Sequence, residues 1–286
     1  MPLSASAKLN VVATLPVFGA IAEEVGGERV EVKNLARGNQ DPHFLDAKPQ
    51  FVVALNHADL LIHGGLDLEI GWLPPILIQA RNPKINFNAP GNVDASIGLE
   101  VLEIPQGKVD RSMGDVHPRG NPHTWLDPRN AKVIAVNIYK HLADVDPSGR
   151  SYYEGRTQAF VEDLNRRIKI WEQGAGPIKG MKVITYHKSF SYLAHWLGFE
   201  VVENIEPKPG IPPSSRHVDA LLDKIPGLGV KAILVESFYP KKVPEYLSSK
   251  AGIPYLLLPT DTDEYGIKTY PELIDYLIGH LMKVQK

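Results

Sequence analysis

The sequence predicts an α/β protein of two lobes, each with a mostly parallel sheet flanked by helices, joined by one long helix. Three observations carry this. Short apolar runs alternate with helical patterns in both halves of the chain, which is the signature of β-α-β units. One long, uninterrupted helical pattern lies near the middle. The composition, 43% hydrophobic and 22% charged over 286 residues, is that of a folded chain long enough for two domains of about 100–150 residues. The boundaries expected are 1–150 for an N-terminal lobe, 151–174 for the linking helix and 175–286 for a C-terminal lobe.

The elements follow in order. Leu9 to Leu15 reads as a buried strand ending at Pro16, and residues 17–25 as a helix closed by Gly26 and Gly27. Arg29 to Leu35 alternates like a second strand. Asp59 to His63 is a short apolar strand stopped by Gly64 and Gly65. The stretch 103–122, rich in Gly, Pro and charge, reads as a long loop. Pro128 to about Val145 is helical, and Asp146 to Gly149 breaks it. In 151–173, Tyr153, Phe160, Leu164, Ile168 and Trp171 recur at helical spacing, which makes a helix roughly 35 Å long at about 1.5 Å per residue. The alternation then restarts, with strands expected at Met181–Tyr186, Glu200–Ile205, Ala232–Glu236 and Tyr255–Leu258, and a last helix from Tyr270 to Val284.

Composition also excludes. Lys plus Arg is 31 and Asp plus Glu is 33, so no basic excess exists to neutralise phosphates, and nucleic acid is not an expected partner. Cysteine is absent, which removes disulfides, thiolate metal sites and cysteine nucleophiles. No apolar run reaches the roughly 20 residues that span a bilayer. The opening residues, MPLSASAKLN, lack the apolar core of a secretion signal, a start compatible with a removed leader or with none. No G-x-S-x-G and no glycine-rich phosphate loop is present.

The chemistry left is that of oxygen and nitrogen. Three of the ten histidines stand apart: His43 in Asp41-Pro42-His43, His123 in Asn121-Pro122-His123, and His187 directly after the apolar run VITY. Each lies where a strand or loop hands over to a helix, and such junctions collect at the carboxyl ends of strands, where α/β sheets bind ligands. Three neutral imidazoles meeting in one cleft suit a borderline divalent ion such as zinc. Each one alone is equally readable as a helix cap or a satisfied polar residue. Asp261, after the strand YLLLP, is a fourth ligand that would complete a tetrahedral shell, with Asp263, Glu264, His63 or water as the alternatives. Asp46 and Asp127 lie near His43 and His123 in sequence, and either could orient a ligating ring, while Asp127 reads equally well as a helix cap.

With these residues in place, the chain resembles the cluster A-I solute-binding proteins of zinc and manganese ABC transporters. The resemblance runs through VVATLPVFGAIAEEVGGERVEVKNL, DPHFLDAKPQ, ADLLIHGGLDLE, GNPHTWLDPRNAKVIA, TYHKSFSYLAHWLGFE and ILVESFYPKKVPEYLSSKAGIPYLLLP. It implies a metal site in the cleft between lobes, with His43 and His123 from the first and His187 from the second. It implies Zn2+ as transported ligand ahead of Mn2+, since manganese-type members often carry Glu where His187 stands. It further implies no enzymatic activity, a membrane permease of an ABC importer as partner, a monomer, and a periplasmic or cell-surface location, with a lipid anchor on the precursor left open. The family's last ligand, an Asp in a G-D-x-Y motif, has no match in Gly266-Ile267-Lys268-Thr269-Tyr270. The loop 103–122 also lacks the His-rich tract common in zinc members. Two other readings stay open: a manganese-specific receptor of the same fold, and a three-His zinc hydrolase or hydratase using metal-activated water. Because imidazoles bind metal only unprotonated, affinity is expected to fall as pH drops through about 6.5.

Overall fold

The structure is a computed structural model, and it describes residues 8–107, 109 and 113–284. The chain forms two compact units. The first comprises residues up to Leu99, Pro128–Arg166 and Asp261–Tyr270; the second comprises Glu100–Asp127, Arg167–Thr260 and the chain from Pro271.

In the first unit, β1 (Leu9–Ala13) pairs in parallel with β2 (Val30–Asn34) and β3 (Leu60–His63), and β3 pairs in parallel with β4 (Asn92–Asp94). The order is β2-β1-β3-β4. Strands covered on both faces read as unbroken apolar runs, and Leu60, Leu61 and Ile62 are fully buried. α1 (Pro16–Gly26) starts with Pro at its first position, where the missing N–H costs nothing. It ends at Gly27, whose φ of +52° suits a residue without a Cβ. α2 (Pro49–Asn56), α3 (Leu73–Ala80) and α4 (Pro128–Val145) complete this unit's helices before the long one.

The second unit repeats the winding. β5 (Lys182–Thr185), β6 (Glu200–Asn204), β7 (Ala232–Glu236) and β8 (Tyr255–Leu258) are all parallel, in the order β6-β5-β7-β8. Every residue of β7 is buried. Its helices are α6 (Ser191–Leu197), α7 (Ser215–Leu228) and α8 (Lys242–Ala251), with α9 (Tyr270–Val284) following. In both sheets the order reverses after the first strand, at β1/β3 and at β5/β7, which creates a topological switch point in each.

α5 (Arg150–Gly174) belongs to the first unit up to Arg166 and to the second from Arg167. Its 25 residues match the long helical pattern of the sequence. In the first unit its base is fixed by Asp146, which accepts hydrogen bonds from Arg29 Nη2 at 2.7 Å and Tyr153 Oη at 2.7 Å. In the second, Trp171 donates to Asp275 Oδ1 at 2.6 Å and meets Trp196 edge to face. Strand limits expected from sequence hold to within two residues. α3, with its Pro74-Pro75 pair, and β4, only three residues long, were not foreseen as elements. Among the described residues, 103–122 contains no regular strand or α-helix.

Burial alone would push the Asp146 carboxyl up, but hydrogen bonds from Ser148, Tyr153 and Arg29, together with the guanidinium charge, outweigh it and hold the group at about 2. A folded value below the ordinary 3.8 contributes stability above that value and loses it as pH falls through about 2. Asp146→Asn is therefore expected to cost about 1–2 kcal/mol in urea unfolding at pH 7 and to converge on the wild type near pH 2. An equal deficit at both pH values would contradict this role.

Candidate metal centre

In the first unit, His43 lies in the loop after β2. Asp41 Oδ1 accepts the backbone N–H of His43 at 3.0 Å and lies 2.8 Å from its ring Nδ1. This is an Asx turn, in which a short side chain mimics a backbone acceptor two residues on, and the intervening proline fixes φ. Trp72 Nε1 donates to the Pro42 carbonyl at 2.9 Å and pins the turn from α3's side. His43 is 7% exposed.

In the second unit the same device recurs. Asn121 Oδ1 accepts the backbone N–H of His123 at 2.9 Å and lies 2.9 Å from its Nδ1. Asn121 Nδ2 donates to the Lys188 carbonyl, which identifies Oδ1 as the acceptor. The Asn121 carbonyl in turn accepts Tyr192 Oη at 2.9 Å, and that hydroxyl accepts the Leu102 N–H at 3.0 Å. Trp125 Nε1 donates to the Thr260 carbonyl.

His187 follows β5 at the switch point of the second sheet. Its Nδ1 is 2.7 Å from Glu206 Oε2, and both side chains are buried. The rings of His123 and His187 have centroids 5.3 Å apart, and one ring nitrogen of each lies within 4.8 Å of the other. A pocket opens beside them, lined also by Asp115, His117, Lys188 and Pro209.

One rule links the three histidines: an oxygen acceptor sits at Nδ1 of each. The acceptor fixes the tautomer with the hydrogen on Nδ1, which makes Nε2 the lone-pair nitrogen. Sequence reading placed the orienting groups downstream, at Asp46 and Asp127. In the structure Asp46 is exposed and Asp127 directly precedes α4, and the acceptors are instead Asp41, Asn121 and Glu206. The missed signal for two of them is the repeated Asx-Pro-His tripeptide.

The remaining candidates are placed as follows. Asp261, in the first unit, is buried, and its Oδ1 accepts the N–H of Val17 at the start of α1 at 2.6 Å and that of its neighbour Thr262 at 2.7 Å. Burial pushes its carboxyl well above the usual range, opposed by those two backbone donors. Asp263 pairs with Lys268 at 3.2 Å on the surface. His63 Nε2 is 3.0 Å from Asn92 Oδ1. The first sheet's switch point is filled by Glu69 Oε1, which accepts Thr14 Oγ1 and the Gly64 N–H.

Residues 11–284 match the family model described as the periplasmic zinc-uptake complex component A, ZnuA. The chain belongs to that family. Its members are metal-binding receptors of ABC transporters rather than enzymes, so the hydrolase alternative falls away. The chain is similar to the manganese ABC transporter substrate-binding lipoprotein PsaA of Streptococcus pneumoniae, with 27% identity over 259 residues, 88% of this chain and 79% of the relative. A crystal structure of ZnuA superposes with a TM-score of 0.82 at 26% identity, covering 98% of this chain and 100% of that one. A zinc-bound ZnuA variant lacking residues 138–173 of its own numbering gives 0.79 at 28% identity, covering 97% of each chain. This member of the ZnuA family is thus a metal ABC transporter substrate-binding protein. No described helix is long and apolar enough to cross a membrane.

Tyr192 carries the hydrogen-bond relay behind Asn121. Tyr192→Phe leaves the Leu102 N–H and the Asn121 carbonyl short of a buried partner, with an expected loss of about 1–3 kcal/mol in unfolding free energy. Faster amide hydrogen exchange at Leu102 should accompany it, and unchanged exchange there would contradict the relay.

Proposed function

We propose that His43, His123 and His187 ligate one zinc ion through Nε2, that Asp261 completes the shell, and that the protein, as a monomer outside the cytoplasmic membrane, hands this ion to an ABC permease. The observation that carries the reading is the oxygen acceptor at every one of the three Nδ1 atoms. An oxygen also meets a ring nitrogen of His63, His141 and His280, so the acceptor supports a ligand role only together with the approach of a ring nitrogen of His123 to within 4.8 Å of one of His187, where it turns Nε2 to coordination.

Zinc is favoured over manganese by the donors. Three neutral imidazoles and no thiolate suit a borderline ion, while manganese prefers carboxylate and water oxygen, and the general affinity order also puts zinc above manganese. Relatives differ on this point: PsaA is named for manganese, and a ZnuA variant was crystallised with zinc. Asp261 is supported by cost. A carboxylate that burial holds above its usual range gains when a divalent cation supplies the missing positive charge.

Equilibrium competition against a chromogenic chelator should give zinc at least about tenfold tighter binding than manganese; tighter manganese binding would identify a manganese receptor instead. His123→Ala should weaken zinc by more than about 100-fold in calorimetric titration with circular dichroism unchanged. Asp261→Asn preserves an acceptor for the Val17 N–H and removes the charge. It should weaken zinc by about tenfold or more, and wild-type affinity in that variant would assign the fourth position to water.

A further inference from the structure

His187 is tied to a turn that the ligand set does not include. Glu206 follows β6 as His187 follows β5, and the Glu206 N–H donates to the Tyr186 carbonyl at 3.1 Å, which fixes the two backbones side by side. Oε2 of Glu206 meets His187 Nδ1 and also accepts the Gly210 N–H at 3.0 Å. One oxygen thus joins the histidine to the turn 208–211, which is closed by an antiparallel bridge between Lys208 and Ile211.

That turn is in turn docked on the segment leading to His123. The Asp115 N–H donates to the Pro209 carbonyl at 2.8 Å. Gly210 has φ +72° and Gly114 φ +75°, and at both the neighbouring turn occupies the space of a Cβ. On Gly210 a Cβ would overlap Asp115 Oδ2; on Gly114 it would overlap the Pro209 oxygen. Two glycines are therefore required twice over, by dihedral and by close approach. The contacts form a line within the second unit: segment 114–123, turn 208–211, Glu206, His187.

We propose that Glu206 and Gly210 are positioning residues that set how long His187 holds the cargo ion, and that seating of the 114–117 segment on the 208–211 turn slows release. This rests on the zinc reading of His187 given above. While the turn is seated, the Gly210 N–H holds the Glu206 carboxylate in line with Nδ1, and the ring keeps one orientation. When the segment lifts, the turn that carries the Gly210 N–H loses its Asp115 anchor, the carboxylate is held less firmly, the ring gains freedom, and the ion leaves faster with no ligand exchanged.

The test measures zinc dissociation by stopped flow into excess chelator, and the visible spectrum of the cobalt-substituted protein. The proteins are wild type, Glu206→Gln, Gly210→Ala, their double variant and His187→Ala. Glu206→Gln should release zinc about 10–100-fold faster, in line with other groups that orient ligating histidines. Gly210→Ala should accelerate release and shift the cobalt spectrum in the same sense. The double variant should be no faster than the faster single one, because both act through one oxygen. If Gly210→Ala does not fold, Asp115→Ala, which removes the carboxylate packed on Gly210, takes its place. Additive effects, or wild-type release in a folded Gly210→Ala or Asp115→Ala protein, would overturn the inference. Wild-type zinc binding in His187→Ala would instead overturn the zinc reading of the histidine, so the two failures are distinguishable.

Discussion

An imidazole has two nitrogens and, when neutral, one hydrogen. Which nitrogen offers its lone pair is decided by what the other one touches. In this chain that decision is made three times by an oxygen at Nδ1, from Asp41, Asn121 and Glu206. Much of the local architecture serves these oxygens. Trp72 clamps the Asp41 turn, Tyr192 and Lys188 clamp the Asn121 turn, and the parallel pairing of β5 with β6 delivers Glu206. Two of the acceptors are carboxylates and one is an amide. Under the proposed coordination, the carboxylates behind His43 and His187 would add negative charge behind neutral donors and favour a divalent ion without thiolates.

The second sheet shows how the fold supplies this geometry. Winding outward on both sides of β5 leaves a crevice at the carboxyl ends of β5 and β7, and His187 emerges there. The first sheet has the same strand order, yet its switch point is closed by Glu69 holding Thr14 and Gly64. The first unit's histidine comes instead from the loop after β2. Equal topologies thus carry their histidines at unequal places.

How much of this could be read from sequence follows from what leaves a local trace. Buried parallel strands did, because two covered faces demand runs such as LLIH and AILVE. β4 did not, since NVD contains one apolar residue and its burial comes from β3. The three histidines were visible as junction residues. Asp41 and Asn121 are equally local, two positions before their rings, but a carboxylate following the histidine, as Asp46 and Asp127 do, leaves the same kind of trace. Glu206 was out of reach: 19 residues separate it from His187, and only the adjacency of β5 and β6 closes that distance. The composition of the units was also non-local. Glu100–Asp127 joins the second unit and Asp261–Tyr270 the first, against the simple order of the chain.

The paired glycines at 114 and 210 also bear on where this chain can grow. Among the described residues, Gly114 and Asp115 register the segment on the 208–211 turn. Even one residue added between Gly114 and Asn121 shifts the Asx turn relative to its anchor at Lys188. The last stretch of the long loop thus has its length set by the histidine at its end.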